Sequence, residues 1–421
     1  MTDKVAADGC LPRLRADLDL LPSPDAGQPG ILLRDPMGYA AAVLRLPWVL
    51  APALACLDGR HGVLDCQAAV SRQTGEIVPG ETIAAMVQTL REEGFLATPE
   101  FTALRERRRL EFAAAPVRQA AHAGSAYPAE AVELRRTLGG YLAGANGGGD
   151  PGLVGLAAPH VSPFGGVEGY AAAYGRLPRN LTGRTLVILG TSHHGAWNRF
   201  GLTRKPFATP LGMAQPDLEA VDFLAGRAGN AADLEDYCHA IEHSIEFQLV
   251  FAQYAGAAGA KVLPILCGPM VGPAGGAEVF YGALGELAES RCGDWFWLLG
   301  VDLAHIGRRY GGRDAVQAGS AAAREVERRD RERLAAVLAG EAEEFRRLAE
   351  QDYARGGEGL NWCGSSALYT FLRAMPRARG ELLHYGQWNI DAQSIVSFAA
   401  IAWRNDAPAG NATEKREPVR E

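Results

Sequence analysis

Seven polar residues of this 421-residue chain, most of them beside apolar segments, are candidates for chemistry. Six of the nine histidines lie between residues 160 and 305, mostly after apolar runs that are typical of buried strands. Polar side chains at the ends of distant strands can meet in one pocket, and imidazole with thiolate is a donor set that transition metals prefer. The pattern therefore predicts a metal site with acid–base groups beside it. The candidates are His160, His193, His243, Glu246, Asp302, His305 and Cys363.

Two of these histidines closely follow a predicted strand. His160 comes after the apolar run Leu153–Ala158, and His193 comes after Thr185–Leu189 and a Gly-Thr-Ser segment. Neighbouring residues of an extended segment point to opposite sides, so only one of His193 and His194 should enter the pocket. We expect it to be His193. Taken alone, His160 would be better explained as a hydrogen-bonded histidine that caps its loop.

A predicted helix, Glu242–Tyr254, opens with a second pair of candidates. His243 and Glu246 are three residues apart and share a helix face. That face can present an acid–base pair to the pocket. Glu242 fits equally well at a solvated helix start, where an acidic residue interacts favourably with the helix dipole.

The last three candidates come from two segments further along the chain. Asp302 follows an apolar run and can ligate a metal or orient an imidazole, and His305 can act as a base. Cys363 precedes the predicted helix Ser365–Met375, whose N-terminus would favour the thiolate. A lone cysteine is also a common small apolar residue of a core.

The elements that must position these residues alternate between strand and helix, which is typical of an α/β fold. Strands this apolar are usually covered on both faces, which favours a largely parallel sheet flanked by helices. Ligands of such sheets bind beyond the carboxyl ends of the strands, where the candidates lie. The predicted strands are Leu153–Ala158, Thr185–Leu189, Lys261–Cys267, Trp295–Leu299 and Ser394–Ala400. The predicted helices between them include Gly166–Tyr174, Pro216–Leu224, Glu242–Tyr254 and Ala321–Leu338.

The length of the chain predicts two domains. Composition and periodicity divide it into four parts. These are a flexible arm at 1–30, a small helical, winged-helix-like module with a charged connector helix at 31–115, an α/β domain at 116–404 and a disordered tail at 405–421.

The N-terminal module resembles PqqD-like winged-helix modules in its Asp58-Gly59 turn and in the segment that ends at Gly94-Phe95-Leu96. Residues 1–110 contain 12 Lys and Arg against 14 Asp and Glu, and only Arg105–Arg109 is locally basic. Nucleic-acid binding needs a basic surface to neutralise phosphates, so it is not expected. Docking of a peptide or protein and a purely stabilising role both stay open.

Composition also indicates the cellular compartment of the protein and the classes of partner to expect. The net charge of -7 gives no basic footprint, and the seven cysteines are scattered without a Cys-x-x-Cys pair. The N-terminal segment lacks the apolar core of a signal peptide, and the apolar runs are too short to span a bilayer. We expect a cytoplasmic protein with no membrane partner.

Seven short motifs, in order from about residue 120 to 404, resemble the Memo family, whose bacterial members include the so-called AmmeMemoRadiSam system protein B. The family is similar in fold to class III extradiol dioxygenases, which use non-haem Fe(II). The resemblance implies His160, His193 and Cys363 as metal ligands and His305 as the base, with Asp302 and His243 nearby. The motifs are His122-Ala-Gly-Ser-Ala-Tyr127, Ala158-Pro-His160, Leu189-Gly-Thr-Ser-His193, Thr209-Pro-Leu-Gly212, Glu242-His-Ser-Ile-Glu246, Asp302-Leu-Ala-His305 and Cys363-Gly364.

The chain departs from the family pattern in two places. Gly300-Val301 precedes Asp302 where relatives often have two serines. Cys363-Gly364 is followed by Ser-Ser-Ala, whereas relatives usually carry Arg and Pro. The missing arginine removes a candidate anion clamp, so the substrate of this chain need not be that of its relatives.

Three functions remain open from the sequence. The first is a dioxygenase-like oxidoreductase with iron or copper on two imidazoles and one thiolate. A thiolate in place of the usual carboxylate ligand makes ring cleavage less secure. The second is a non-catalytic protein that carries or senses one of these metals, since Cys with His also suits copper(I). The third is a docking component of a radical-SAM-associated modification system.

Overall fold

A computed structural model describes residues 9–406 except 24, 26, 146–148, 180, 271–274 and 357–358. Most of the predicted tail, from residue 407 onward, lies outside the described residues. The chain divides into two compact units, Met1–Ala115 and Pro116–Glu421. No helix of the described residues combines the length and apolar character needed to cross a membrane.

The first unit is a small antiparallel sheet followed by helices. Its three strands lie in the order β1-β2-β3. They are β1 (Asp19–Pro22), β2 (Ile31–Arg34) and β3 (Val43–Leu46). After a 3-10 turn at Trp48–Leu50 come the helices α1 (Ala51–Leu54), α2 (Val63–Thr74), α3 (Gly80–Glu92) and α4 (Pro99–Ala114). The likeness to a winged helix stays a prediction.

Part of the segment 1–30 is ordered in this unit, where the sequence predicts a flexible arm. Leu11 belongs to the apolar core, and β1 pairs with β2. Arg15 is buried and its guanidinium donates to the Asp35 carboxylate at 2.9 Å. A buried charge is tolerated when it is paired and hydrogen-bonded. The ion pair therefore ties this segment to the core.

The second unit is built on one large sheet whose centre is parallel. The strand order is β12-β14-β4-β11-β5-β10-β6-β9, with β13 on β14. The central strands β4, β11, β5 and β10 run parallel, while β12, β13, β14 and β6 add antiparallel pairs. The strands of this sheet are β4 (Gly155–Ala158), β5 (Thr185–Thr191), β6 (Phe200–Leu202), β9 (Ala232–Leu234), β10 (Lys261–Cys267), β11 (Trp295–Gly300), β12 (Asp302–Gly307), β13 (Ala378–Asp391) and β14 (Ser394–Asn405). A separate two-stranded sheet consists of β7 (Phe207–Thr209) and β8 (Gly212–Ala214).

Helices cover both faces of this sheet. On one face α6 and α9 pack on the central strands, and on the other α13 packs on β5, β10 and β11 with α10 behind it. The helices are α5 (Ala131–Tyr141), α6 (Val167–Tyr174), α7 (Leu218–Ala228), α8 (Cys238–Ile241), α9 (Ser244–Ala252), α10 (Ala277–Ser290), α11 (Ala321–Leu338), α12 (Ala342–Ala354) and α13 (Ser365–Ala374). A π-helical turn, Gln253–Ala257, continues α9.

The predicted α/β sheet flanked by helices is confirmed. The bounds of β10 and α11 are those expected from the apolar runs and the helical period. One local expectation is wrong: His305 lies inside β12, whereas the sequence places it in a loop beyond a strand. The strand forms because it pairs with β14 in antiparallel fashion, a distant partner that periodicity does not reveal.

Two glycines let α9 approach the sheet closely. Gly190 in β5 and Gly300 in β11 are register partners on neighbouring strands. A Cβ at Gly300 would meet the carbonyl oxygen of Ser244, and one at Gly190 would meet the hydroxyl of Ser244. The first turn of α9 therefore packs directly on the backbone of β5 and β11 at these two glycines.

We predict that Gly300→Ala destabilises the second unit, because the added methyl group has no space and would displace the start of α9. Overpacking of this kind costs about 1–3 kcal/mol, so the thermal midpoint should fall by several degrees. Gly282→Ala is the matched control, since Gly282 is exposed in α10 with nothing near its Cβ position. That variant should be neutral or gain up to about 1 kcal/mol. Equal melting of both variants in calorimetry would contradict the close approach.

Candidate metal centre

Three histidines from separate segments converge beyond the carboxyl ends of β4 and β5. His160 follows β4, His193 follows β5, and His243 immediately precedes α9. One ring nitrogen of each lies within 4.8 Å of the others. The ring centroids are 5.1 to 5.3 Å apart. This spacing brings three imidazole nitrogens within reach of one metal ion.

His160 is held from two sides and is almost fully buried. Its Nδ1 lies 2.8 Å from the carbonyl oxygen of Gly300. A carbonyl only accepts, so Nδ1 carries the proton and Nε2 keeps its lone pair. The backbone amides of His160 and Val161 donate to Asp302 Oδ1 at 2.9 and 3.1 Å. The ring is therefore oriented with Nε2 as its donor atom.

His193 is oriented by a carboxylate. Its Nδ1 donates to Glu242 Oε2 at 2.8 Å, and its backbone amide donates to Glu242 Oε1 at 2.6 Å. Burial works against protonation of His193, but the Glu242 carboxylate outweighs it and raises the imidazole pKa well above its ordinary value. Carboxylate–histidine pairs of this kind fix the tautomer and make the other nitrogen a stronger metal ligand.

His243 lies among other rings. Its ring centroid is 5.5 Å from His122 and 5.2 Å from Phe247. Burial and the nearby histidines, His193 first among them, lower its pKa well below the ordinary value. His243 is therefore a neutral imidazole at physiological pH, as a metal ligand must be.

Cys363 adds a sulfur donor to the cluster. Its Sγ lies 3.3 Å from His160 Nε2. Burial opposes ionisation of the thiol, but the charge and hydrogen bond of His160, helped by His193, lower its pKa to about 7. A substantial thiolate fraction is therefore present at neutral pH.

Asp302 and His305 lie in β12 beside the cluster. Asp302 Oδ2 is 3.6 Å from His160 Nε2. Burial raises the pKa of Asp302, and the charge of His305 and two backbone amides oppose that shift. His305 Nδ1 donates to the carbonyl oxygen of Leu303 at 3.0 Å. Burial lowers the pKa of His305, although Asp302 counters it.

Glu246 is engaged by groups other than the three histidines. Its carboxylate pairs with Arg118 and accepts from the hydroxyl of Tyr127. It also accepts from the backbone amides of Ala121 and His122 at 3.0 and 2.9 Å. Burial would raise the pKa of Glu246, but the Arg118 charge outweighs it and lowers the value. Glu246 thus anchors the first turn of α9, next to His243, to Arg118 and Tyr127.

The donor set fits a transition metal. His160 and His193 each have one nitrogen tied to a backbone or carboxylate acceptor, and each also interacts with the Cys363 thiol. The thiol adds a soft ligand, and such mixed nitrogen and sulfur sets suit iron, copper or zinc. His194 lies three residues beyond β5 and is exposed, as His193 is.

Comparison with known proteins identifies the family of this chain. The family model for Memo-like protein matches residues 118–402. The chain belongs to the Memo family. The match begins and ends within the second unit.

Several curated relatives, all described as MEMO1 family proteins, share this similarity. One from Aquifex aeolicus is 25% identical over 386 residues, 88% of this chain and 95% of its own length. One from Thermus thermophilus is 29% identical, over 68% of this chain and 83% of its own. One from Methanopyrus kandleri is 29% identical, over 68% and 99%. A solved structure of an uncharacterized Escherichia coli protein aligns with 12% identity over 59% of this chain and 99% of its own, with a TM-score of 0.38.

Sequence reasoning misses several residues that support this candidate site. Glu242 was compatible with a solvated helix start, but it is buried against His193. Nothing in the local sequence marks Arg118 as part of the site, because its partner Glu246 is 128 residues away in the chain. His122 was named only as part of a motif; its Nε2 donates to the carbonyl oxygen of Ile241 at 2.7 Å.

We predict that Cys363 of the metal-free protein reacts with iodoacetamide with a pH midpoint of about 7, because the thiolate is the nucleophile. The reactive fraction falls as the pH drops below that pKa. His160→Gln removes the imidazole beside Cys363 that favours the thiolate, so the midpoint should move toward about 8.5, the ordinary thiol value. Mass spectrometry of the Cys363 peptide measures both, with His384→Gln as the control. The same midpoint in His160→Gln and the wild type would refute the assigned cause.

Proposed function

We propose that this Memo family protein binds one iron or copper ion in the cluster of His160, His193 and His243, with Cys363 beside it. The observation that supports this most is the convergence of the three imidazole nitrogens within 4.8 Å. Imidazole nitrogens removed from water need partners, and one metal ion would serve all three. Neutral tautomers with free nitrogens are what a metal requires.

The proposed site has two possible sets of three ligands, and His160 and His193 are the two shared ligands that occur in both. The third donor is either Cys363 or His243. The thiolate lies beside His160 Nε2 and favours copper(I) or iron. The imidazole of His243 completes an all-nitrogen set. Glu242 and the Gly300 carbonyl oxygen orient the shared ligands in either case.

The proposal includes a redox activity of the dioxygenase-like kind. When bound, iron or copper supplies an electron-transfer centre that can activate O₂. His305 takes the role of base toward an acidic hydroxyl of the substrate, because the Leu303 carbonyl oxygen orients its ring through Nδ1 and its lowered pKa keeps it neutral. Asp302 stabilises the cation that forms there. A non-catalytic metal carrier or sensor is the alternative.

We predict about one metal ion per chain after anaerobic reconstitution of untagged protein with Fe(II) or Cu(I), measured by elemental analysis. His160→Ala and His193→Ala should each abolish binding, because each removes a shared ligand. Comparison of Cys363→Ser with His243→Ala then identifies the third donor. His384→Ala should keep the metal. Protein that takes up neither ion, or binding that survives loss of both shared ligands, would overturn the proposal.

We predict that the metal-loaded protein consumes O₂ with catechol-type substrates, followed with an oxygen electrode. His305→Ala should lower the rate by about 10²-fold or more, as expected for loss of a general base. Its metal content should equal that of the wild type. No oxygen uptake by the fully loaded protein would exclude the enzymatic part of the proposal and leave a carrier or sensor.

A further inference from the structure

A cavity of about 260 Å³ opens beside the histidine cluster, and His193 and Cys363 form part of its lining. Other parts of the lining come from the segment after β10, from α11 and α12, and from residues 361–366. Pockets for drug-sized ligands usually measure about 300–1,000 Å³, so this cavity suits a smaller molecule, about the size of one ring. Such a molecule would lie against two of the residues that we propose as metal ligands.

Two large aromatic side chains line the cavity with about half of their surface exposed. Trp197 follows His193 by four residues, and Tyr353 comes from α12. Their rings pack edge to face with the centroids 5.7 Å apart. Trp362 is buried in the same lining, and Met270 adds a thioether. A flat ring packs well on such a surface and would cover apolar area that is otherwise exposed.

The arginine, the aspartate and the histidine of this lining have partners of opposite charge. Arg333 and Asp352 pair with each other. His193 Nδ1 lies 2.8 Å from the Glu242 carboxylate. A charged ligand would lose its water here without meeting an unpaired charge among these described residues. The cavity therefore favours an uncharged molecule.

Asn361 has an unusual backbone conformation in this lining. Its φ of 51° lies in the left-handed region, which glycine adopts readily and asparagine tolerates better than most other residues. Hydrogen bonds to β12 hold the segment on both sides of it. The amide of His305 donates to the carbonyl oxygen of Leu360 at 3.1 Å. The amide of Gly364 donates to that of Asp302, also at 3.1 Å. The position of Asn361 beside the cavity is therefore fixed.

The side-chain amide of Asn361 is available to a ligand. The residue is exposed, and its side chain forms no hydrogen bond with the described residues. Two hydroxyls of the lining are instead engaged by the backbone. Thr191 donates to the carbonyl oxygen of Cys363 at 3.3 Å, and Ser365 donates to that of Trp362 at 3.0 Å. A carboxamide can both donate to and accept from a hydroxyl group.

We infer that Trp197, Tyr353 and Asn361 select the ligand of this cavity, a single uncharged aromatic ring with a hydroxyl substituent. The ring packs on the two aromatic side chains, and its hydroxyl forms a hydrogen bond with the carboxamide. The inference rests on the proposed function and deepens it, because it assigns the residues that select the substrate of the same site. An asparagine present only for its backbone would play no part in this selection, and glycine would replace it without loss.

Protection of the Cys363 thiol tests this inference, because a ligand in the cavity covers that residue. The full-length, metal-free protein is alkylated with iodoacetamide at a pH of about 7 in the presence of phenol, and the Cys363 peptide is quantified by mass spectrometry. Phenol should slow the alkylation in a saturable way. Cyclohexanol carries the same hydroxyl on a ring that is not flat, and it should need about a tenfold higher concentration for half protection.

Asn361→Gly separates the carboxamide from the backbone, because glycine keeps the left-handed conformation. The phenol concentration for half protection should rise about fivefold, the effect of losing one hydrogen bond. Toluene is the matched ligand without a hydroxyl, and its half-protection concentration should stay at the wild-type value.

Trp197→Ala should weaken protection by phenol and by toluene alike, each about tenfold, because both rings lose the same packing surface. Leu218→Ala is the control, since Leu218 is also a half-exposed apolar residue but lies at the start of α7, outside this lining. It should change neither value.

Each part of the inference has a result that would overturn it. Equal protection by phenol and cyclohexanol, or unchanged protection in folded Trp197→Ala, would overturn the aromatic part. A phenol value that stays constant in Asn361→Gly, or rises together with that of toluene, would leave Asn361 with a backbone role only. Stronger protection by benzoate than by phenol would overturn the preference for an uncharged ligand.

The protection assay needs no metal, so it separates this inference from the proposed function. Protection by phenol in a protein that takes up neither iron nor copper would overturn the metal proposal alone. A protein that holds the metal, but whose metal-free form gains no protection from phenol, would overturn the selection of an aromatic ligand alone.

Discussion

The geometry of the whole site depends on one requirement: the buried polar groups of α9 must find partners. Every residue of this helix is buried, including two uncharged polar ones near its start. Ser244 Oγ donates to the carbonyl oxygen of Thr191, and Gln248 Nε2 donates to that of Pro159, both at 2.8 Å. An unmet buried donor is costly. These two bonds therefore fix the exits of β5 and β4, from which His193 and His160 extend.

Electrostatic interactions then give different protonation states to the histidines that packing brings together. Adjacent imidazoles disfavour one another's protonation, and a single buried carboxylate, Glu242, favours the charged form of one of them. His243 stays neutral in the same cluster. Any positive charge on the neighbouring imidazoles favours the thiolate form of Cys363. The result is a set of groups whose proton occupancies differ although they lie within a few ångströms.

The sequence predicted the parts of this arrangement that obey local rules. Helix α11 and strand β10 follow from periodicity, and His160 and His193 follow from their position after apolar strands. The rest depends on contacts between distant segments. Glu242 is recognisable as a partner of His193 only when α8 and β5 are brought together. Periodicity carries no information about which loop a buried side chain will meet.

The wide spacing of the site along the chain has a consequence for folding. His160 and Cys363 are 203 residues apart. The strand before His160, β4, pairs with β14, which comes near the end of the unit. An unfolded chain cannot hold these groups at contact distance, so a ligand that needs them all recognises only the completed sheet. By mass action, such a ligand shifts the population toward the native chain. Occupancy of the pocket would then report whether synthesis and folding of the domain had finished.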